Sequence, residues 1–477
     1  MTLRNICRPT YASPRLDGCL RLAWFAMVIF VSTIPVAWAS SSAPREWTVM
    51  VYMNAKNNLE CDALDNFAQM ATVGSDPKTD VLVELGRPQN VLEKGKRRSK
   101  YQCGDTDPWD GVMRFYVNKN QVPGPKTALA DLGKIDMGSG KTLAEFVDWA
   151  MTNYAARHYM LVIWNHGQGW RFQTARNEGL KFESARGRGA TGLAANVQAL
   201  PSGADKTTVG GFKSVSFDDE TGHFLYNSDI QTDLETLLAH KGKPLDVIGF
   251  DACLMAMVET GYAMRSISNV MVASEELVPG AGWDYGDLLT KLESNSAHVD
   301  GKQLGKILVD SYKQAYRDRL KTTLSAVDLN QISSLATAID SLATALTGAS
   351  PADTKVISSA RESCSNYGQD AGFTNPIDLH EFTNNLLSLS KNSAIITAAK
   401  EVNSAVETGF VYSRYASTRS QGKFGSYGVS IYFPRTKEDF NADPDKDGYL
   451  RTNSQHPVEF VQKRQWSAFL AAYLQLN

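Results

Sequence analysis

The sequence predicts an α/β layered fold with a mostly parallel central sheet flanked by helices. Three observations predict it. β-Branched, apolar runs alternate with segments of helical period along most of the chain, which is the pattern of strands joined by crossover helices. The run YMLVIW at 159–164 is continuously apolar rather than alternating, as expected of a central strand covered on both faces. Composition is ordinary for a globular protein, with 43% hydrophobic and 21% charged residues, so wholesale disorder is excluded.

The elements follow in order. Residues 46–55, EWTVMVYMNA, read as the first strand. In 57–74, Leu59, Ala63, Leu64, Phe67, Met70 and Ala71 recur with a helical period. Strands are expected at 79–86 and 112–118, a helix at 141–156 and the central strand at 159–164. Residues 171–213 are rich in Gly, Ala, Arg and Lys without periodicity and read as an exposed linker insert. Beyond it come helix 228–241, strand 244–251, helix 254–266 and strand 269–276. Helices at 301–320, 329–346 and 377–408 precede a last strand at 425–434.

The N-terminus is expected to lie outside this fold. Arg4, Arg8, Arg15 and Arg21 precede an apolar run at 22–36 and a small-x-small signal, AWA, at 37–39. That run is short for a membrane span, which needs about 20 residues, and suits a signal peptide at 1–39. An uncleaved anchor is the alternative. The expected mature chain is a domain at 40–434 with an extension at 435–477 packing on it, secreted or periplasmic, with no membrane contact after cleavage. Cleavage would leave 45 basic and 50 acidic residues, a net charge of −5. No basic stripe for nucleic acid accompanies that balance. No GxxxxGK[ST] or GxGxxG loop opens a helix after a strand, so nucleotide binding is excluded as well. Cys61, Cys103, Cys253 and Cys364 would remain. Export permits a disulfide, and the sequence leaves the pairing open.

Two strand ends carry chemistry. His166 and Gly167 follow the strand at 159–164, and Cys253 follows the strand at 244–251 at the expected start of a helix. Open α/β sheets gather reactive groups at the carboxyl ends of their strands. A helix N-terminus lowers a cysteine pKa toward the nucleophilic thiolate, and a histidine can pass a proton to a leaving amine near neutral pH. The N–H groups of Gly167 and Cys253 could together form an oxyanion hole, where each donor contributes roughly 3–4 kcal/mol in hydrolases. A buried structural cysteine and a satisfied core histidine are the bland alternatives.

The stretches NHGQGW (165–170) and GFDACLMAMVE (249–259) resemble the clostripain family of cysteine peptidases, which has a caspase-like fold. VYMNAKNNLE (51–60), ASEELVPGAGWDY (273–285) and GVSIYFP (428–434) agree with it, so the resemblance spans 47–434. Lys56 departs from it, because the family often carries an acid there. The resemblance implies Cys253 as nucleophile and His166 as general acid and base, working as a dyad. No third member is evident in the sequence. It implies cleavage of protein or peptide substrates with arginine or lysine at P1. The acids of the S1 pocket would be Asp251, at the family position, and Asp284, with Glu275 and Glu276 as further alternatives. It also implies self-cleavage between histidine and cysteine, giving a monomer of two chains. Arg176, Lys181, Arg186, Arg188, Lys206 and Lys213 are the candidate sites in the insert.

The chemistry requires no cofactor, but calcium is suggested. NADPDKDGYL supplies Asp443, Asp445, Asp447 and Gly448, the first half of an EF-type loop, whose twelfth position is Ser454 rather than a bidentate Glu. An acidic turn is the alternative. Two other functions remain open at this level: a catalytically inactive caspase-like binding or surface module, and another cysteine hydrolase or transpeptidase on the same fold. Retention of both His166 and Cys253 argues against the module.

Overall fold

The computed structural model describes residues 44–104, 108–170, 215–317, 319–368, 375–417, 426–443, 445–452 and 457–476. The expected leader at 1–39 and the whole of the expected insert at 171–213 lie outside them. In chain order the strands are β1 (Arg45–Asn54), β2 (Thr79–Arg87), β3 (Val91–Glu93), β4 (Lys96–Arg98), β5 (Gly111–Tyr116), β6 (Ala130–Gly133) and β7 (Ala156–Trp164). Then come β8 (Leu245–Asp251), β9 (Ser268–Ala273), β10 (Thr323–Asp328), β11 (Pro376–Asp378), β12 (Val411–Ala416) and β13 (Ser430–Tyr432). The helices are α1 (Glu60–Val73), α2 (Gly140–Asn153), α3 (Asn227–Lys241), α4 (Val258–Met264), α5 (Tyr285–Ser294), α6 (Gly301–Tyr316) and α7 (Ile332–Thr347). They continue with α8 (Pro351–Glu362), α9 (Leu379–Leu389), α10 (Ser393–Ala405), α11 (Lys437–Ala442), α12 (Glu459–Lys463) and α13 (Trp466–Tyr473).

The main sheet has the order β12-β10-β9-β8-β7-β1-β2-β5-β6. Strands β2, β1, β7, β8 and β9 are parallel, and antiparallel strands extend both edges. The continuous apolar run of β7 has the physical cause the sequence suggests. Tyr159, Leu161 and Ile163 enter the core on one face, and Met160, Val162 and Trp164 the core on the other. Helices α1, α5 and α6 cover the second face, while α2, α3, α4, α7, α9, α10 and α13 build the first. The last helix is tied in through Trp466, fully buried, whose indole N–H donates to the Tyr432 carbonyl at 2.9 Å. No helix of the described residues is long and apolar enough to cross a membrane.

Three expectations are corrected. The helix expected at 377–408 is a strand and two helices. Residues of β11 pair with β13, Asp378 caps α9 through the Glu381 N–H at 2.7 Å, and Asn392 caps α10 through the Ala394 N–H at 3.0 Å. The helix expected from 254 begins only at Val258. Leu254 has φ +61°, and the N–H groups of Leu254 and Ala256 donate to the carbonyls of Glu276 and Ser274 instead of to carbonyls of a helical turn. Finally, β10, β12 and α8 were not anticipated, because a short strand between two helices gives too few residues for a clear period.

Cys61 and Cys103 form a disulfide, with Cα atoms 4.9 Å apart and 42 positions between them in sequence. It ties the first turn of α1 to the chain that follows the β3–β4 hairpin. Cys364 is buried, and its thiol donates to the Ala360 carbonyl at 3.2 Å. A crosslink of this span stabilises by restricting the unfolded chain, typically by about 2–4 kcal/mol. Cys103→Ser is therefore expected to lower the unfolding free energy by that amount in a urea titration.

Candidate active site

The parallel strands β1, β7 and β8 finish together. Met53 pairs with Trp164, and Trp164 pairs with Asp251. The chain runs from β1 to β2 on one side and from β7 to β8 and β9 on the other. The sheet order therefore diverges between β1 and β7, the topological position at which open α/β sheets open a crevice. His166 and Cys253 each stand two residues past one of these in-register strand ends, and both are partly exposed.

Asparagines hold this edge together. The Asn165 amide donates to the carbonyls of Asn54 at 2.8 Å and Phe217 at 3.0 Å. Its Oδ1 accepts from the Asn57 amide at 3.0 Å and also from the backbone N–H of His166. Strand-end N–H and C=O groups buried away from water need such partners. The His166 ring meets Asn58, whose Oδ1 lies 2.9 Å from Nε2. Sequence reading missed this residue. The available signal was its place in the NNLE stretch at a strand end.

Gly167 is packed against the backbone of the cysteine loop. A Cβ there would lie 2.5 Å from the Cys253 carbonyl oxygen and 3.0 Å from its nitrogen, so no side chain fits. The His166 and Cys253 loops are thus brought into direct contact, as the sequence expected.

The thiol environment differs from expectation. Cys253 does not begin a helix, since α4 starts five residues later. Val278 brackets the sulfur, its N–H donating to Sγ at 3.2 Å and its carbonyl accepting from Sγ at 3.8 Å. Burial pushes the Cys253 thiol up to about 12, opposed by the Val278 N–H and reinforced by the carboxylates of Glu276 and Asp251. Burial also pushes the His166 imidazole down to about 4. At neutral pH the resting pair is therefore thiol and neutral imidazole, because both charged forms lose hydration there.

Asp251 ends β8 and is buried. Its Oδ2 accepts from the Trp283 N–H and the Tyr285 hydroxyl, each at 3.0 Å, while Oδ1 has no hydrogen-bond partner among the described residues. Desolvation pushes its carboxyl up to about 7, against those two donors. Gly282 makes this approach possible. Its φ is +62° and a Cβ would lie 2.6 Å from Asp251 Oδ2. Asp284 stands between the two residues that bond Asp251. It is half-buried and caps α5, accepting from the Asp287 N–H at 2.9 Å.

The alternatives are placed elsewhere. Glu276 accepts from the N–H groups of Leu277 and Gly368, both at 2.9 Å, and pairs with Lys321 at 3.2 Å. Glu275 accepts from the Gly428 N–H at 3.0 Å and faces Asp378, so both serve as internal braces. Of the three calcium candidates, Asp443 and Asp445 are buried side by side, the Asp445 N–H donating to Asp443 Oδ1 at 3.1 Å. Asp443 is buried and accepts from the Asn375 amide at 3.0 Å, whereas Asp447 is 70% exposed beside Lys446. Among the described residues no group of three or more His, Cys, Asp or Glu side chains is arranged to hold a metal ion. Asp447 lies in the short 3-10 turn at Lys446–Tyr449, whose Tyr449 hydroxyl donates to Glu259 at 2.6 Å.

Lys56 is fully buried. Its ammonium reaches Asp218 Oδ2 at 2.8 Å, Glu220 at 3.1 Å and the Ile135 carbonyl at 3.0 Å. Residues 215–218, which enter the described structure just after 171–214, are thereby fastened to the end of β1. Lys56→Met would leave the Asp218 carboxylate buried without its cation, a change that usually costs about 3–5 kcal/mol. The expected outcome is that loss of stability in urea unfolding, with partial recovery in the double variant Lys56→Met with Asp218→Asn.

Comparison with known proteins bears on this arrangement. The clostripain family profile matches residues 51–191 and 202–473. Clostripain of Hathewaya histolytica is 23% identical over 334 residues, 62% of this chain. That match spans 55% of the relative, about half its length. An inactive zymogen C11 protease from Parabacteroides distasonis is similar in structure, with a TM-score of 0.56 at 14% identity, covering 90% of this chain and 99% of that one. A secreted C11 cysteine protease from Bacteroides thetaiotaomicron, in complex with an irreversible peptide inhibitor, gives 0.52 at 18% identity over 89% and 99% of the two chains. These likenesses show a shared caspase-like fold.

Proposed function

The chain belongs to the clostripain family, and we propose that it is an exported cysteine endopeptidase cleaving after arginine or lysine. Cys253 is the nucleophile and His166 the general acid and base. The observation that carries the specificity is the buried Asp251 carboxyl beside Cys253, with one oxygen lacking a partner among the described residues. A buried carboxylate in that condition is stabilised by a cation, and a guanidinium or ammonium at P1 supplies one. Asp284, on the same loop, adds a second acid at the rim.

The reaction follows from the resting charges. A cationic P1 side chain beside Asp251 offsets the negative field that opposes thiolate formation. The Cys253 proton passes to His166, and the sulfur attacks the scissile carbonyl. The carbonyl oxygen takes its negative charge toward the N–H groups of Gly167 and Cys253. The C–N bond breaks as His166 returns the proton to the leaving amine. Water then attacks the thioester with His166 as base, and the C–S bond breaks.

Maturation belongs to the same proposal. Two flanks of the 171–214 segment are held firmly. Trp170 packs on Tyr432 and Tyr449, and Asp218 pairs with Lys56. Self-cleavage in the basic insert would free chain between these anchors while the halves stay packed in one sheet. Export is supported by the leader pattern and by the description of a solved relative as secreted.

The deciding experiment is hydrolysis of matched fluorogenic peptides with arginine, lysine or a neutral residue at P1. The mature protein should cleave the two basic peptides and Cys253→Ala neither. A folded, linker-cleaved protein that cleaves no peptide would favour the non-catalytic reading. A second outcome concerns pH. The Asp251 carboxyl must ionise to hold a cation, so raising the pH through 7 should tighten binding. Competitive inhibition by benzamidine is expected to strengthen about tenfold between pH 6 and 8, and Asp251→Asn should flatten that dependence. The same variant should gain stability above pH 7. The unfolded chain ionises near pH 4 and the folded one only near 7, so native Asp251 opposes folding increasingly across that window.

A further inference from the structure

Asn58 stands where a third member of the catalytic group would be needed, and its surroundings leave it little other work. It lies in the turn between β1 and α1 and is exposed, with Oδ1 2.9 Å from His166 Nε2. No other hydrogen bond of its side chain is found among the described residues. It does not cap α1, whose N-cap position is Leu59 without a side-chain cap.

The turn that presents it is fixed on every side. The Asn57 side chain accepts from the Leu59 N–H at 2.9 Å and donates to Asn165 and to the Phe217 carbonyl. Glu60 is buried and takes two hydrogen bonds from Arg87, at 2.9 and 2.6 Å. Cys61 is held by its disulfide to Cys103. Asn165, which Asn57 bonds, in turn accepts the His166 backbone N–H. The imidazole and its partner are therefore positioned by one rigid network.

We propose that Asn58 is a positioning residue for the peptidase reaction: its Oδ1 keeps a proton on His166 Nε2, so that Nδ1 is the nitrogen that takes the Cys253 proton. The proposal rests on the reading of Cys253 and His166 given above. A neutral imidazole carries one N–H and one lone pair, and the partner of one nitrogen sets the role of the other. An amide oxygen can only accept. When the thiol proton reaches Nδ1 the ring becomes a cation, and the Nε2–H···Oδ1 bond becomes charge-assisted. The bond is stronger in the charged state than at rest, which is the condition for lowering a barrier.

An amide also suits this site better than a carboxylate. A carboxylate would hold the imidazole protonated before substrate arrives, and a protonated ring cannot accept the thiol proton. Burial and the carboxylates of Glu276 and Asp251 raise the Cys253 thiol. Burial is what lowers the imidazole. Asn58 itself adds direction without charge.

The test compares the linker-cleaved wild type with Asn58→Ala and Asn58→Asp on an arginine peptide. Each is followed for kcat, KM, the pH profile of kcat/KM and urea unfolding. Asn58→Ala should lose about 10- to 100-fold in kcat, the range for one hydrogen bond to a charged group. Its KM and unfolding midpoint should stay unchanged. Asn58→Asp should recover most of kcat at high pH, with the acid limb of kcat/KM moved up by roughly 1–2 pH units. A merely structural role would move neither the limb nor kcat alone. Full activity in Asn58→Ala overturns the assignment, as does an unmoved acid limb in Asn58→Asp. If Asn58→Ala fails to fold, Asn58→Asp alone decides by its limb. A folded wild type without activity overturns the peptidase reading itself, an outcome distinct from an active wild type beside an unaffected variant.

Discussion

The common ending of β1, β7 and β8 is the constraint on which the rest depends. Because these strands pair in parallel and in register, their loops leave the sheet at one edge and close together. The site lies in a divergence of strand order, so its floor is the buried end of the sheet and its walls are loops. Each loop must satisfy the backbone groups that the strands no longer pair. Asn54, Asn57 and Asn165 do this, and the same bonds fix the backbone of His166. Structural satisfaction and functional positioning are here one network.

That arrangement sets the electrostatics. The edge is crowded enough that Cys253 is held as a thiol, His166 as a neutral ring and Asp251 well above the ordinary carboxylate range. All three shifts have burial as their largest cause. Such a site is not primed by a resting ion pair, and under the proposed specificity a cation beside Asp251 would ease the ionisation of both Asp251 and Cys253. Stability is sacrificed locally, as is usual where buried polar groups are left for a ligand to satisfy.

The periphery carries the restraints that keep this edge rigid. The Cys61–Cys103 crosslink and the buried Glu60–Arg87 pair clamp the start of α1 next to Asn58. On the opposite flank Lys56 and Asp218 fasten the chain that follows 171–214. The Lys56 ammonium and the Asp218 carboxylate are both buried, so each supplies the charge the other needs.

The sequence by itself determined the fold class and the places of His166, Gly167, Cys253 and Asp251. Each of these is a local matter. Apolar runs covered on both faces mark central strands, and reactive residues just past them fall at the sheet's carboxyl edge. The sequence names Asp284 as well, and the structure adds that it caps α5. Only the tertiary structure decided the rest. Asn58 and His166 are 108 positions apart, Lys56 and Asp218 are 162 apart, and Cys61 and Cys103 are 42 apart. No periodicity encodes such pairings, because each depends on how the sheet orders its strands. The cysteine loop teaches the same lesson. The residues 254–257 are good helix formers, yet the N–H groups of Leu254 and Ala256 bond across to the chain after β9, and a non-local partner prevailed over local propensity. The acids at 443, 445 and 447 follow an EF-type spacing, and the structure places Asp447 in a short 3-10 turn whose Tyr449 hydroxyl bonds Glu259. Spacing proposes which groups could meet. Packing decides which do.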